Sequence, residues 1–275
     1  VLPGTEGSSQ TRQFGWLLTD KVLGFKANDL NYPIWHPQFT PSQFLYGLFN
    51  TSLDSRYDAT FKSEYYATLD VPNLGIKVGD LRVYFPKPDQ PFTKQDSLSF
   101  MASHPVAQII PISRWLPDIE NVGGSGKFPM IWKFHDPKAS SVYTSSRDVI
   151  LFRLAETYMI AAEAWFKKGD NTKAVERINT IRTRAALPGK TAQMQISASQ
   201  VTIDYILDEK AREMAGEYTR WYDLKRTGKL IERTLKYNVL AKRVNKLDAH
   251  HLVRPIPQSV IDRDSGEFPQ NPGYN

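Results

Sequence analysis

Residues 28–36 read Asn28, Asp29, Leu30, Asn31, Tyr32, Pro33, Ile34, Trp35 and His36, setting an indole and a phenol among short amides and a carboxylate. A flat aromatic ring covers the C–H face of a pyranose, while Asn and Asp hold adjacent hydroxyls on its rim. The mixture suits sugar binding, with Trp35 as the stacking ring, Tyr32 beside it, and Asn28, Asp29 and Asn31 as hydroxyl partners. Pro33 and Pro37 stiffen this loop and so limit the ordering cost of binding. One stacked ring hides on the order of 100 Å² of apolar surface, about 2–3 kcal/mol before losses. That corresponds to millimolar affinity or weaker, so several contacts must cooperate. The competing role for Trp35 is a ring that plugs the core under a long loop. For Trp115 and Trp132 the core role is the stronger one. Trp165 and Trp221 lie on apolar helical faces and are expected in the core, and Trp16 has no assigned role.

Other chemistries find no matching pattern. Glycoside hydrolysis needs two carboxyls about 5–10 Å apart, one with a raised pKa. Glu156, Glu163, Glu209, Glu213 and Glu217 instead lie on Arg-rich helical segments, where ion pairing is the expected role. Arg153 with Glu156, and Arg212 with Glu209, have the i, i+3 spacing of local pairs. No catalytic residue is assigned. His36, His104, His135, His250 and His251 lack the H-x-x-x-H spacing of a helical metal site, and there is no Cys, so no metal and no cofactor are expected. The Gly123–Gly126 run has no following Lys-Ser/Thr and reads as a surface turn rather than a phosphate loop.

The net charge of +6 raises the question of nucleic acid. The basic residues concentrate only between Arg220 and Lys246, without the interleaved aromatics of a base-stacking platform. A solvated helix face and loop is the expected reading there, an acidic polysaccharide the lesser one, and nucleic acid is not expected as a partner. The apolar runs are too short to span a bilayer.

The elements that must position these groups change character near residue 147. Before it, short apolar runs alternate with turn signals such as Pro86-Lys87-Pro88, giving loops, a short helix over residues 43–49 and strands at 81–85 and 130–134. After it, helical periodicity is strong. Leu151, Ala155, Tyr158, Ala162 and Trp165 share one face, Gly169 terminates, and Asp170 or Asn171 caps a second helix. The second helix is expected to bury Ala174, Ile178, Ile181 and Ala185 and to stop before Pro188. Residues 150–187 thus read as a tetratricopeptide-like helical hairpin. It has two faces and no adjacent repeat at a 34-residue period, so uncovered apolar surface is expected. A third helix is expected across residues 202–227, with Trp221 buried. The Pro-rich tail from His251 needs packing to hold it. The fold class is mainly α: a tetratricopeptide-like helical body with long irregular loops and a few short strands.

Residues 153–164 (RLAETYMIAAEA), 174–188 with its IRTRA run, 207–226 (LDEKAREMAGEYTRWYDLKR), 252–257 and 270–274 (QNPGY) occur in order. Together they resemble the SusD/RagB family. Upstream, residues 54–61 (DSRYDATF) are similar to a loop element of the same family. The resemblance implies two parts, a loop-rich part over 1–146 and the family's C-terminal helical region over 147–275. It also implies a non-catalytic, surface-exposed lipoprotein of the bacterial outer membrane, one that binds an oligosaccharide or polysaccharide and delivers it to a SusC-like TonB-dependent transporter. Membrane attachment would run only through a lipid anchor on an N-terminal portion that this chain lacks. A helical-repeat scaffold that binds a protein partner is the alternative, and an enzyme the third.

Overall fold

The computed structural model describes residues 21–27, 29–32, 39–115, 127–140 and 145–274. The chain forms two compact units, residues 1–218 and 219–275.

The first α-helix among the described residues of the first unit is α1, Gln43–Gly47, where the Ser42 hydroxyl caps the Leu45 amide. Helix α2, Arg56–Thr60, leads into strand β1, Phe61–Lys62, and strand β2, Glu64–Tyr66. Strand β3, Leu81–Tyr84, is followed by helix α3, Lys94–Ser103, held by a Thr93/Asp96 capping box. Strand β4, Gln108–Ile109, and strand β5, Met130–Ile131, complete two small sheets. In one, β1 pairs antiparallel with β5; in the other, β3 lies between antiparallel β2 and parallel β4. Such short ladders supply little stability of their own. Aromatic packing holds this half together: Tyr46, Phe49, Tyr57, Phe61, Tyr65, Phe85 and Trp115 form one buried cluster with edge-to-face contacts. Trp115 is a core residue, as expected, and its indole N–H donates to the Ile110 carbonyl at 2.7 Å.

The expected hairpin is present as helix α4, Leu154–Lys167, and helix α5, Asn171–Ala185. Gly169, at φ +80, makes the turn, and the Asp170 side chain caps the Lys173 amide. Ala174, Ile178, Ile181 and Ala185 are all buried. They pack on Ala155, Met159 and Ala162, whose small or flexible side chains let the helices approach closely. Trp165 is only half-buried, and the ammonium groups of Lys173 and Lys168 lie 4.3 and 5.2 Å from its ring centroid. Leu151 precedes the helix and is not on its buried face. Residues 149–152 and Leu154 are instead exposed, Phe152 by 86%, so the expected uncovered apolar surface is there.

Helix α6, Thr191–Met194, precedes helix α7, Ile203–Glu213, capped by the Thr202 hydroxyl. The single helix expected over 202–227 is broken. Gly216 at φ +77 and Tyr218 at φ +60 take left-handed backbone that no helix continues through. The chain resumes in the second unit as helix α8, Arg220–Arg226, followed by α9, Leu230–Tyr237, α10, Val239–Val244, and α11, Gln258–Ile261. Trp221 is not buried as expected. It is 36% exposed, and the Arg254 guanidinium sits 5.4 Å from its ring centroid. With the break at 214–219 the apolar stripe of α7 no longer carries on to Trp221. The tail closes on itself through short polar contacts: the Gln270 amide bonds both backbone groups of Ile256, Asn271 donates to the Arg254 carbonyl, and the Tyr274 hydroxyl to that of Val253. Among the described residues no helix is long and apolar enough to cross a membrane.

Candidate functional site

A pocket of about 790 Å³ opens in the first unit, lined by Lys26, Asp29, Leu30, Asn31, Tyr32, Lys62, Tyr66, Thr68, Trp132 and His135, among others. Its size is that of a small-molecule site. Four separate segments build it, and the two small sheets bring them together. The β1–β5 pairing sets Lys62 against Met130, and the Trp132 amide donates to the Thr60 carbonyl at 2.6 Å, so Lys62 and Trp132 share one wall. On β2 the alternation buries Tyr65 and exposes Tyr66 by 40%, and a register irregularity between these two residues faces the opening.

Tyr32 closes that irregularity. Its hydroxyl accepts the Tyr66 amide at 2.7 Å and donates to the Tyr66 carbonyl at 3.1 Å. Burial pushes the phenol up to about 12. Tyr32 is 7% exposed and packs against Phe25, Tyr65 and Trp132, so it forms the pocket floor with its hydroxyl already in use. Asp29 and Asn31 stand at the rim, where Asp29 Oδ1 accepts from both the backbone amide and the side-chain amide of Asn31. Three of the residues picked from sequence, Tyr32, Asp29 and Asn31, thus line one pocket. Asn28 and Trp35 lie outside the described residues.

The remaining wall comes from residues distant in sequence. Trp132 is half-buried, and His135 stacks on it with centroids 4.2 Å apart. The backbone turn in which His135 N–H donates to the Trp132 carbonyl at 2.8 Å sets this stacking. The exposed Tyr66 ring is steadied by its hydroxyl, which donates to Glu64. Tyr66, Lys62 and His135 were not singled out from sequence. The one local signal for them is the mixing of aromatic and basic residues in 62–66 and 132–135, which periodicity does not weigh.

Glu209, Glu213 and Glu217 are held in ion pairs, as expected, whereas Glu156 makes none among the described residues and its Oε2 is buried without a hydrogen-bond partner. Glu209, fully buried, takes Arg56 at 2.8 Å, Arg182 at 2.8 Å and Arg212 at 2.7 Å. Glu213 takes Arg56 at 3.0 Å and Arg184 at 2.7 Å, and Glu217 takes Arg153 at 2.7 Å and Lys133 at 2.6 Å. Burial acts to raise the carboxyl pKa of Glu209 and Glu213, but the guanidinium groups outweigh it and hold both at about 2. A general acid needs the opposite shift. The expected Arg212–Glu209 pair exists. Arg153 reaches across to Glu213 and Glu217 rather than to Glu156, because it precedes α4 in extended backbone and is not a helical neighbour of Glu156.

One group of potential metal ligands occurs among the described residues: Asp248, His250 and His251, in the second unit. Its atoms already cap the short helical turn Ala249–Leu252. Asp248 Oδ1 accepts the His250 amide at 3.0 Å, and His251 Nδ1 accepts the Asp248 amide at 3.2 Å. A cap accounts for the cluster.

A family model described as the SusD family matches residues 38–274. SusD-like protein P2 of Formosa agariphila is 26% identical over 204 residues, covering 72% of this chain and 40% of that protein. The starch-binding protein SusD of Bacteroides thetaiotaomicron is 32% identical over 140 residues, 50% of this chain and 23% of that protein. The chain therefore spans less than half the length of these curated relatives. A laminarin-binding SusD-like protein of known structure aligns over 98% of this chain and 45% of its own, with a TM-score of 0.53 at 22% identity, which speaks to the fold. The mainly helical body, its tetratricopeptide-like hairpin and the family match over nearly the whole sequence make this chain a member of the SusD family.

Proposed function

We propose that this chain carries a glycan-binding site of a non-catalytic nutrient-binding protein, and that the pocket between Asp29, Tyr66 and Trp132 is that site. The observation that carries the reading is the meeting of exposed aromatic surface, Tyr66 and the accessible part of Trp132, with the amide and carboxylate of Asn31 and Asp29 at one opening. Aromatic surface binds the apolar face of a sugar, and the polar rim fixes its hydroxyls. Trp35 follows Tyr32 by three residues in the sequence, and we assign it the outer stacking ring, with Asn28 bonding hydroxyls. Starch binding and laminarin binding, stated for two relatives, support a polysaccharide ligand. The complete protein, on this reading, sits on the outer-membrane surface through a lipid anchor and passes its ligand to a SusC-like TonB-dependent transporter.

Affinity electrophoresis against a panel of polysaccharides tests the site. Trp35→Ala and Trp132→Ala should each weaken binding about ten-fold, given about 2 kcal/mol for a lost stacking surface. For Trp35→Ala the melting temperature should hardly move. Retained binding with a loss of several kcal/mol of stability would place these rings in the core and the site elsewhere. The exposed apolar run at residues 149–154 favours a second reading, a scaffold that docks a protein partner on the hairpin. Binding of no glycan by a well-folded chain would move the weight to it.

A further inference from the structure

Lys62 lacks the glutamate partner that several half-buried and buried cations of the first unit have. Arg56, Arg153, Arg182, Arg212 and Lys133 each meet a glutamate within 3.0 Å. Lys62 lines the pocket, and no carboxylate among the described residues forms an ion pair with it. Its Nζ lies instead 5.0 Å from the Trp132 ring centroid, 5.5 Å from that of Tyr32 and 5.8 Å from that of Tyr65. Glu64, two residues on in sequence and at the start of β2, accepts the Tyr66 hydroxyl. Ring faces attract an ammonium but do not satisfy its three N–H donors. A strand-borne, partly desolvated ammonium at a pocket wall is therefore set to take acceptor oxygens from outside the chain.

The rest of the lining agrees. Lys26 adds a second positive charge, and among the described lining residues Asp29 is the one carboxylate, with an oxygen already engaged by Asn31. His135 brings a ring nitrogen, Nδ1, that is buried without a hydrogen-bond partner beside Trp132. The pocket thus carries a net positive charge next to aromatic surface, where the reduced exposure to water strengthens attraction for an anion.

We propose that the pocket selects sugars bearing an acidic substituent, a uronate carboxylate or a sulfate ester, whose oxygens sit on Lys62 while the sugar ring lies against the aromatic wall. This deepens the glycan-site reading above and rests on it. It also carries a pH signature. The charged groups facing His135 are Lys62 on β1, Asp136 beside it in sequence, and Arg147. Burial, then Lys62, holds the imidazole below its ordinary range, with Asp136 opposing. Asp136 is itself held at about 2 by hydrogen bonds from Lys138, Ser145 and Ser146, so it does not titrate with His135. An acidic sugar neutralises Lys62 and so favours the imidazolium. Its binding should tighten as pH falls through the histidine range, while a neutral sugar shows no such gain.

The test is isothermal titration of the chain with three size-matched oligosaccharides: an oligogalacturonate, a sulfated galactan fragment and a neutral β-glucan. One or both acidic ligands should bind at least about ten-fold more tightly than the neutral one, and which of them does so identifies the acidic group. Lys62→Gln should abolish that preference, and Lys62→Arg should restore it. His135→Asn should remove the extra tightening at low pH. Equal affinity for acidic and neutral ligands, with Tyr66→Ala weakening both, would overturn the charge preference and leave the pocket as a glycan site. Binding untouched by both Tyr66→Ala and Trp132→Ala would overturn the pocket itself and the preference with it. Lys62→Gln protein that unfolds is judged by Lys62→Arg: a folded arginine variant without acidic preference also counts against the proposal.

Discussion

The hairpin of α4 and α5 and the aromatic pocket are built on opposite terms. In the hairpin, neighbours in space are neighbours in sequence. Ala174, Ile178, Ile181 and Ala185 recur at helical spacing, and the turn between the helices is a single glycine with its cap. In the pocket, residues 29–32, 62–66 and 132–135 meet across two-residue and three-residue strand pairings. Helices are specified by local periodicity, whereas a pocket of short strands and loops depends on many long-range contacts, each weakly signalled. Helix α7 stands between the two cases. Its helical character is local, but it buries Glu209, Lys210, Arg212 and Glu213, which a solvated-face pattern would leave outside. What decides the burial of Glu209 and Glu213 is the set of arginines brought by other segments.

That last point yields the largest expected effect. Glu209→Ala leaves Arg182 and Arg212 without their carboxylate and Arg56 with only Asp54 and Glu213, and should destabilise the chain by about 3–5 kcal/mol in urea unfolding. A loss under 1 kcal/mol would mean that water or Glu213 replaces the lost charge, and the helix would then be held by its apolar stripe alone.

Cutting into the hairpin core should cost somewhat less. Ile178 is fully buried, and Ile178→Ala should destabilise by about 2–4 kcal/mol, with the pocket's ligand affinity unchanged. If affinity fell with stability, the two regions would be coupled and the contrast between them would fail.

Acid should act on the charged core before it acts on the hairpin. The folded-state pKa values of Glu209 and Glu213 are depressed to about 2 from 4.5, so the stability they contribute is present above pH 4.5 and is lost as pH falls from there towards 2. The melting temperature should drop steeply in that window. In a Glu209→Gln, Glu213→Gln double variant the dependence should be markedly flatter, though the starting stability is lower. An unchanged slope would assign acid sensitivity to other carboxyls.

The smallest effect tests how local the hairpin is. Gly169 sits at φ +80 with nothing within 4 Å of the position a Cβ would take, so Gly169→Ala adds strain without a clash. About 1 kcal/mol of stability should be lost, read by thermal unfolding. A much larger loss would show that the turn is sensitive to more than its own backbone.

Sequence by itself determined the helical hairpin with its terminating glycine and the family, narrowed the cap to Asp170 or Asn171, and favoured the core for Trp115. Each depends on periodicity, on a residue's own backbone preference, or on an ordered set of motifs. It also picked Asp29, Asn31 and Tyr32, which line the pocket, because a cluster of aromatic and short polar residues is visible over a few positions. Only the tertiary structure decided that Tyr32 spends its hydroxyl on the Tyr66 backbone, that α7 ends before Trp221, and that Arg153 crosses to Glu213 and Glu217. The same holds for Lys62 facing Trp132 with no ion pair to a carboxylate among the described residues. These outcomes follow from strand pairing and charge burial between segments tens of residues apart or more. A residue's type and its near neighbours do not state which distant partner will satisfy it.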